Sequence, residues 1–146
     1  MKKYNVGYTA GVYDMFHIGH LNVIRNARQL CDKLIVAVST DELVTNEKGV
    51  VPIIAFEERL QIVQALRYVD QVVPQESYAI EGKIRAAKEY GVDVMFVGDD
   101  WKGSAKWNSI EQRLAEIGVD VVYLPHTDGI SSTMLRQTLK KKESKV

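Results

Sequence analysis

One cysteine, three prolines and three histidines are all that the 146 residues contain of those types. The lone Cys31 excludes an intramolecular disulfide framework and any cysteine-rich zinc site, and it reads as a small buried apolar residue. With so little proline and no Pro/Gly-rich, repeated or low-complexity tract, no linker is evident. A single domain over residues 1–140 is expected, followed by a flexible tail at 141–146. Charge of one sign is lacking too, because Lys+Arg and Asp+Glu are both 19 and the formal net charge is +0. Without a global basic field, nucleic acid is not expected as a partner, and any charge-based recognition must be local. No apolar run approaches the roughly 20 residues of a membrane span, and the opening "MKKYNVGYTAGVYD" lacks the apolar core of a signal peptide. Membrane insertion is therefore not expected, and a cytoplasmic location is.

What the chain does contain is an alternation of β-rich and helical segments. Five short runs read as strands: "YNVGYTAG", "KLIVAVST", "QVVP", "DVMFVGDD" and "VDVVYLP". "LIVAV", "VMFV" and "VVYL" are nearly continuous apolar runs rather than alternating ones, as expected of parallel strands covered on both faces. Between them the apolar residues recur with helical period. Leu21, Ile24, Ala27 and Cys31 share one face, and Phe56, Leu60, Val63 and Leu66 another. Further helices are predicted at about 80–90 and 108–117, and "SSTMLRQTLKKK" opens with capping hydroxyls and closes with lysines. The expected fold is a doubly wound, Rossmann-like α/β domain: a five-stranded parallel sheet with helices on both faces.

In such sheets ligands bind beyond the carboxyl ends of the strands, where the strand order reverses. "YDMFHIGH" falls there, between the first strand and the first helix. His17 and His20, three apart at a helix start, share a face and can point at one ligand, while backbone N–H groups add partial positive charge. Gly19 between them leaves room for close approach. This arrangement suits a phosphate-bearing anion. A metal pair is a weaker reading, since "HIGH" lacks the further carboxylate or thiol ligands; a histidine nucleophile and plain helix capping also remain open. His126 lies in "PHTDGISSTMLR", after the last strand, where Gly129 permits a tight turn and Ser131 and Ser132 offer hydroxyls at another helix N-terminus. This is either a second phosphate cradle or a simple N-cap.

"GVYDMFHIGH" near the start and "GISSTMLR" near the end resemble the two signatures of the HxGH nucleotidyltransferase superfamily. "RYVDQVVP" and "VGDDW" between them are similar to its cytidylyltransferase branch, particularly to enzymes that act on glycerol 3-phosphate. The resemblance spans residues 6 to 136. It implies that a phosphate oxygen of an acceptor attacks the α-phosphorus of a nucleoside triphosphate in line and that pyrophosphate leaves. Positioning and electrostatic stabilisation would carry the reaction, with Mg²⁺ accompanying the triphosphate. It implies CTP and a small phosphorylated alcohol as substrates, best guess glycerol 3-phosphate giving CDP-glycerol, and a homodimer.

By the same resemblance His17 and His20 would stabilise the α-phosphate, with Lys48 and Arg59 as further catalytic residues. Val12, Tyr13, Asp14 and Gly19 would contact the nucleotide, and Asp14 would be the metal ligand. Arg67 and Asp70 would belong to the nucleotide site and dimer interface, or else form a structural ion pair. Asp99, Asp100 and Trp101 would line the cytosine pocket. His126, Thr127, Gly129, Ile130, Ser131 and Ser132 would wrap the β- and γ-phosphates, with Arg136 nearby, and Lys48 and Lys83 would bind the acceptor.

Several positions depart from the family pattern. Val12 stands where a threonine is usual, His126 where an arginine is, Val50 at a position expected to hold a second lysine, and Glu81 at one expected to hold a phosphate-binding lysine, for which Lys83 would substitute. These departures bear on the acceptor more than on nucleotidyl transfer. The alternatives are an adenylyltransferase acting on a phosphorylated cofactor precursor such as FMN, and a non-enzymatic nucleotide-binding module.

Overall fold

The protein is described here by a computed structural model in which residues 3–144 are placed. Five strands, β1 (Tyr4–Gly11), β2 (Cys31–Ser39), β3 (Gln71–Gln75), β4 (Val94–Gly98) and β5 (Asp120–Leu124), form one sheet in the order β3-β2-β1-β4-β5. All four pairings are parallel. The order reverses at β1, which sits between β2 and β4, so the crevice is expected above the carboxyl ends of β1 and β4.

The continuous apolar run of β2 is explained by burial on both faces. Ile35 and Ala37 pack with Trp107, Ile110 and Leu114. Leu34, Val36 and Val38, on the opposite side of the pleat, pack with Ile24, Ala27 and Val63. Pro74 donates no ladder hydrogen bond and is tolerated because β3 is an edge strand. Helices α1 (Ile18–Gln29) and α3 (Phe56–Gln64) cover one face; α4 (Ile80–Tyr90) and α5 (Ala105–Ala115) cover the other.

Several boundaries differ from the sequence reading. Cys31 and Leu66 lie off the helices to which their spacing assigned them; Cys31 opens β2 and joins the same core, its thiol donating to the Ala27 carbonyl at 3.4 Å. A helix for which the sequence reading gave no element, α2 (Asp41–Lys48), is capped by the Thr40 side chain and closed by Gly49 at φ 67. Lys48 is therefore the last residue of a helix. α6 (Ser132–Ser144) extends through most of the segment read as a flexible tail, and residues 145–146 lie outside the described ones.

Candidate active site

The crevice is built on a backbone that is strained where it turns from β1 into α1. Tyr13 and Met15 take φ values of 56 and 51, left-handed conformations that cost a non-glycine residue about 1 kcal/mol each. Neighbouring elements hold this turn. The buried Asp14 carboxylate accepts the N–H groups of Ile53 and Ile54, each at 2.9 Å, and an N–H of the Arg136 guanidinium. Its carbonyl accepts the Ser132 hydroxyl at 2.6 Å, tying the turn to the start of α6. Burial alone would raise the Asp14 pKa, but the two amides and Arg136 together hold it below its ordinary value.

Asp14 is thereby spent on the protein. Its assignment as a metal ligand is not supported, and among the described residues no cluster of His, Cys, Asp or Glu has the makings of a metal site.

The two imidazoles cap α1 reciprocally. His17 Nδ1 accepts the Gly19 N–H at 3.1 Å, and His20 Nδ1 accepts the His17 N–H at 3.2 Å, a capping box made of histidines. Because both Nδ1 atoms accept, both neutral rings carry their proton on Nε2. The rings stack with centroids 3.7 Å apart, and the Tyr13 ring packs edge-on against His20 at 5.3 Å. Burial lowers the His17 pKa; burial and then the adjacent His17 push His20 down to about 4. At neutral pH the pair is thus two uncharged Nε2–H donors. Gly19 is needed between them, since a Cβ there would lie 2.9 Å from His17 Cε1.

Across the crevice, the β5–α6 segment forms the second wall. Asn22 donates to the Thr127 hydroxyl at 2.9 Å, linking α1 to it. His126 lies between two carboxylates, 2.6 Å from Asp99 and 3.0 Å from Asp128. Asp99, then Asp128, raise its pKa, so a titratable imidazole stands where an arginine was expected, its charge favoured by its acidic neighbours. His17, Gly19, His20, His126, Thr127, Ile130, Ser131 and Ser132 line one cleft of about 200 Å³. It opens beside a larger crevice of about 660 Å³, whose walls include Val12, Tyr13, Asp14, Lys48, Asp100, Trp101 and Arg136. That volume is in the range of small-ligand sites.

A third cavity, of about 210 Å³, shares Val12, Lys48 and Trp101 with the crevice and runs under α4 and α5 to Ser39, Gln75, Tyr78, Lys83, Lys106 and Trp107. Among the described residues, the buried side-chain polar atoms with no hydrogen-bond partner are His17 Nε2 and Arg136 Nε. Both belong to this one site. Buried donors are rarely left unpaired, so an anion is the natural occupant.

Four residues singled out from the sequence are not brought to the crevice. Arg59 is 1% exposed and lies beneath it: Nε donates to the Ile54 carbonyl at 2.8 Å, Nη1 to Val12 at 2.6 Å and Ser39 at 2.8 Å, and Nη2 to Asp41 at 2.7 Å. It supports the site rather than reaching a ligand. Arg67 and Asp70 precede β3, at the amino end of the sheet and away from the crevice. They do not pair with each other: Arg67 lies over the Tyr68 ring, while Asp70 accepts the Leu34 N–H and pairs with Arg28 at 3.2 Å. Asp99 is turned to His126. Conversely, the sequence reading missed Asn22, Lys106 and the hydrogen-bonded chain of half-buried Tyr78 and buried Ser39 and Gln75. Lys106 was hidden because the helix expected from about 108 in fact starts at Ala105, which puts this lysine in its first turn.

A five-stranded parallel sheet whose switch-point crevice joins two helix N-termini, paired imidazole donors and an unpaired guanidinium nitrogen defines a nucleotidyltransferase-type α/β protein. Its structure resembles that of the lipopolysaccharide core biosynthesis protein from Thermoplasma volcanium, with a TM-score of 0.69 at 23% identity over 84% of this chain and 96% of that one. The chain belongs to the cytidylyltransferase-like family, whose model matches residues 8–138. It is 36% identical over 131 residues to glycerol-3-phosphate cytidylyltransferase of Bacillus subtilis, covering 90% of this chain and 94% of the relative. It is also 36% identical over 118 residues to FAD synthase of Pyrococcus abyssi, covering 80% and 77%.

Proposed function

We propose that this protein transfers CMP from CTP to a small phosphorylated alcohol, glycerol 3-phosphate being the acceptor that fits best, with release of pyrophosphate. The observation that carries the reading is the pair of unpartnered buried donors, His17 Nε2 and Arg136 Nε, in a crevice between two helix N-termini. In this reading the His17 and His20 Nε2–H groups hydrogen-bond the α-phosphate, on which charge grows as the reaction proceeds. The β5–α6 segment takes the β- and γ-phosphates. The acceptor phosphate, its second pKa being about 6, is already dianionic and needs no general base. One of its oxygens bonds to the α-phosphorus as the bond to the bridging α,β-oxygen breaks, and the electron pair leaves with pyrophosphate. Mg²⁺ would neutralise the triphosphate when bound with it. Asp100 and Trp101 line the crevice, and in this reading they offer the cytosine a carboxylate for its amine and a ring for its face. A cytoplasmic homodimer belongs to the same proposal and rests on the family resemblance.

Two observations favour this over adenylation of a flavin. Similarity to the Bacillus subtilis enzyme extends over more of both chains, and the cavity beside the crevice, about 210 Å³, suits a three-carbon phosphate better than a tricyclic ring system. Pyrophosphate release with CTP, ATP, UTP and GTP in turn, each with Mg²⁺ and glycerol 3-phosphate, tests it. The expected result is release with CTP alone, falling by roughly 10²–10³ in His17→Ala. Turnover of ATP with FMN in place of CTP would overturn the reading.

A further inference from the structure

Three lysines reach the cavity beside the crevice, from three helices, and no carboxylate lines it. Lys48 ends α2, Lys83 lies in α4, and Lys106 is in the first turn of α5. Among the described residues none of the three forms an ion pair. Lys83 is only 9% exposed, and its ammonium donates to the Tyr78 carbonyl at 3.2 Å. Burial, then the charge of Lys106, lowers its pKa to about 8, while burial, then Arg136 and Lys106, lower that of Lys48. The three charges therefore converge. Cations near the N-terminal ends of α4 and α5 oppose the helix dipoles, so their placement serves something other than helix stability.

Two of the aromatic rings that line the cavity, Tyr78 and Trp107, are already covered. Lys48 Nζ sits 5.4 Å from the Tyr78 ring centroid and Lys83 Nζ 5.6 Å from that of Trp107. An ammonium group entering this space would find neither a carboxylate nor a free ring of these two to receive it. It would instead meet like charge. The remaining polar groups are neutral: the Tyr78 hydroxyl donates to Ser39 Oγ at 3.1 Å, and Ser39 Oγ donates to Gln75 Oε1 at 2.8 Å. Hydroxyls and an amide are the partners a polyol needs.

We propose that Lys83 and Lys106 are specificity-determining residues: they make this cavity accept a phosphorylated polyol and reject a phosphorylated amino alcohol by charge. The inference rests on the transfer reading above for the cavity's role as the acceptor site, and it adds Lys106 to the residues that read the acceptor. Like-charge repulsion does the excluding, and the lysines bind the phosphate of whichever acceptor enters.

Calorimetric titration of glycerol 3-phosphate and of phosphoethanolamine, onto wild type and Lys106→Glu at pH 7, tests the selection without requiring turnover. Pyrophosphate release with CTP and each acceptor then follows. Wild type should bind glycerol 3-phosphate at least about thirtyfold more tightly than phosphoethanolamine, and Lys106→Glu should shrink that ratio by about tenfold or more. Lys106 is exposed, and an acidic residue suits a helix N-terminus, so the variant should fold. A merely structural lysine would weaken both ligands alike and leave the ratio unmoved. Equal affinities in wild type, binding of neither ligand, or an unmoved ratio would overturn the proposal. Intact binding preference with no pyrophosphate release from any nucleotide would overturn the transfer reading and support the charge selection.

Discussion

Replacing Arg59 by lysine separates a supporting residue from one that touches substrate. The guanidinium makes four hydrogen bonds, at 2.6 to 2.8 Å, in directions that a planar fork satisfies. Lysine keeps the charge but has a single nitrogen, so its ammonium can reach one part of this set at a time. At least two of the four acceptors, the carbonyls of Val12, Ser39 and Ile54 and the Asp41 carboxylate, would lose their donor. At about 1.5–3 kcal/mol for each hydrogen bond to a charged group, two lost bonds cost about 3 kcal/mol or more. For a chain of this size that lowers Tm by about 10 °C. The Val12 carbonyl lies at the start of the strained turn, so CTP affinity should fall with stability. Thermal unfolding followed by circular dichroism, with CTP titration at a temperature where the variant is folded, gives both numbers. A variant whose Tm stays within about 2 °C of wild type while turnover drops about a hundredfold would refute the assignment and return Arg59 to the substrate.

Gly19→Ala should act in the opposite sense on the two readouts. A Cβ 2.9 Å from His17 Cε1 and 3.0 Å from Nδ1 displaces the ring, which should reduce the rate of pyrophosphate release by about tenfold to a hundredfold. Helix propensity favours alanine by about 1 kcal/mol, so Tm should hold steady. Stability should also follow the protonation of His20. Its folded pKa of about 4 lies below the ordinary 6.5, so between those values the unfolded chain takes up a proton that the folded one refuses. This contribution is present above pH 6.5 and is lost as the pH falls towards 4. His126 works in the other direction, since its pKa is raised by Asp99 and Asp128: it adds stability below pH 6.5 that disappears as the pH rises through its folded value. Urea midpoints for wild type and His20→Gln at pH 7 and 5 isolate the first effect, and a loss between the two pH values that is equal in both proteins would count against it.

Much of this site was legible in the chain because its ligating groups sit next to secondary-structure boundaries. "HIGH" and "GISST" each follow a strand and open a helix, and helix N-termini at strand carboxyl ends are where a doubly wound sheet places its crevice. The apolar runs of β2 and β4 likewise announce burial on two faces, independent of what covers them. Residues whose roles depend on a distant partner gave no such sign. Asp14 looked like a metal ligand because nothing in "VYDMF" shows that the amides of Ile53 and Ile54 and the guanidinium of Arg136 will occupy it. Arg59 looked like an active-site arginine, since a helical arginine with a free fork and one with four internal acceptors read the same.

By itself, then, the sequence determined the strand and helix alternation, the two helix N-termini that flank the crevice and the class of chemistry, all of which follow from local periodicity and short-range spacing. Tertiary structure decided which charged side chains remain available. It consumed Asp14, Asp99 and Arg59 in internal hydrogen bonds, left His17 Nε2 and Arg136 Nε unpaired, and gathered Lys48, Lys83 and Lys106 from three helices around one cavity. Hydrogen-bond satisfaction and charge convergence are properties of distances between segments, and those distances exist only once the sheet has formed.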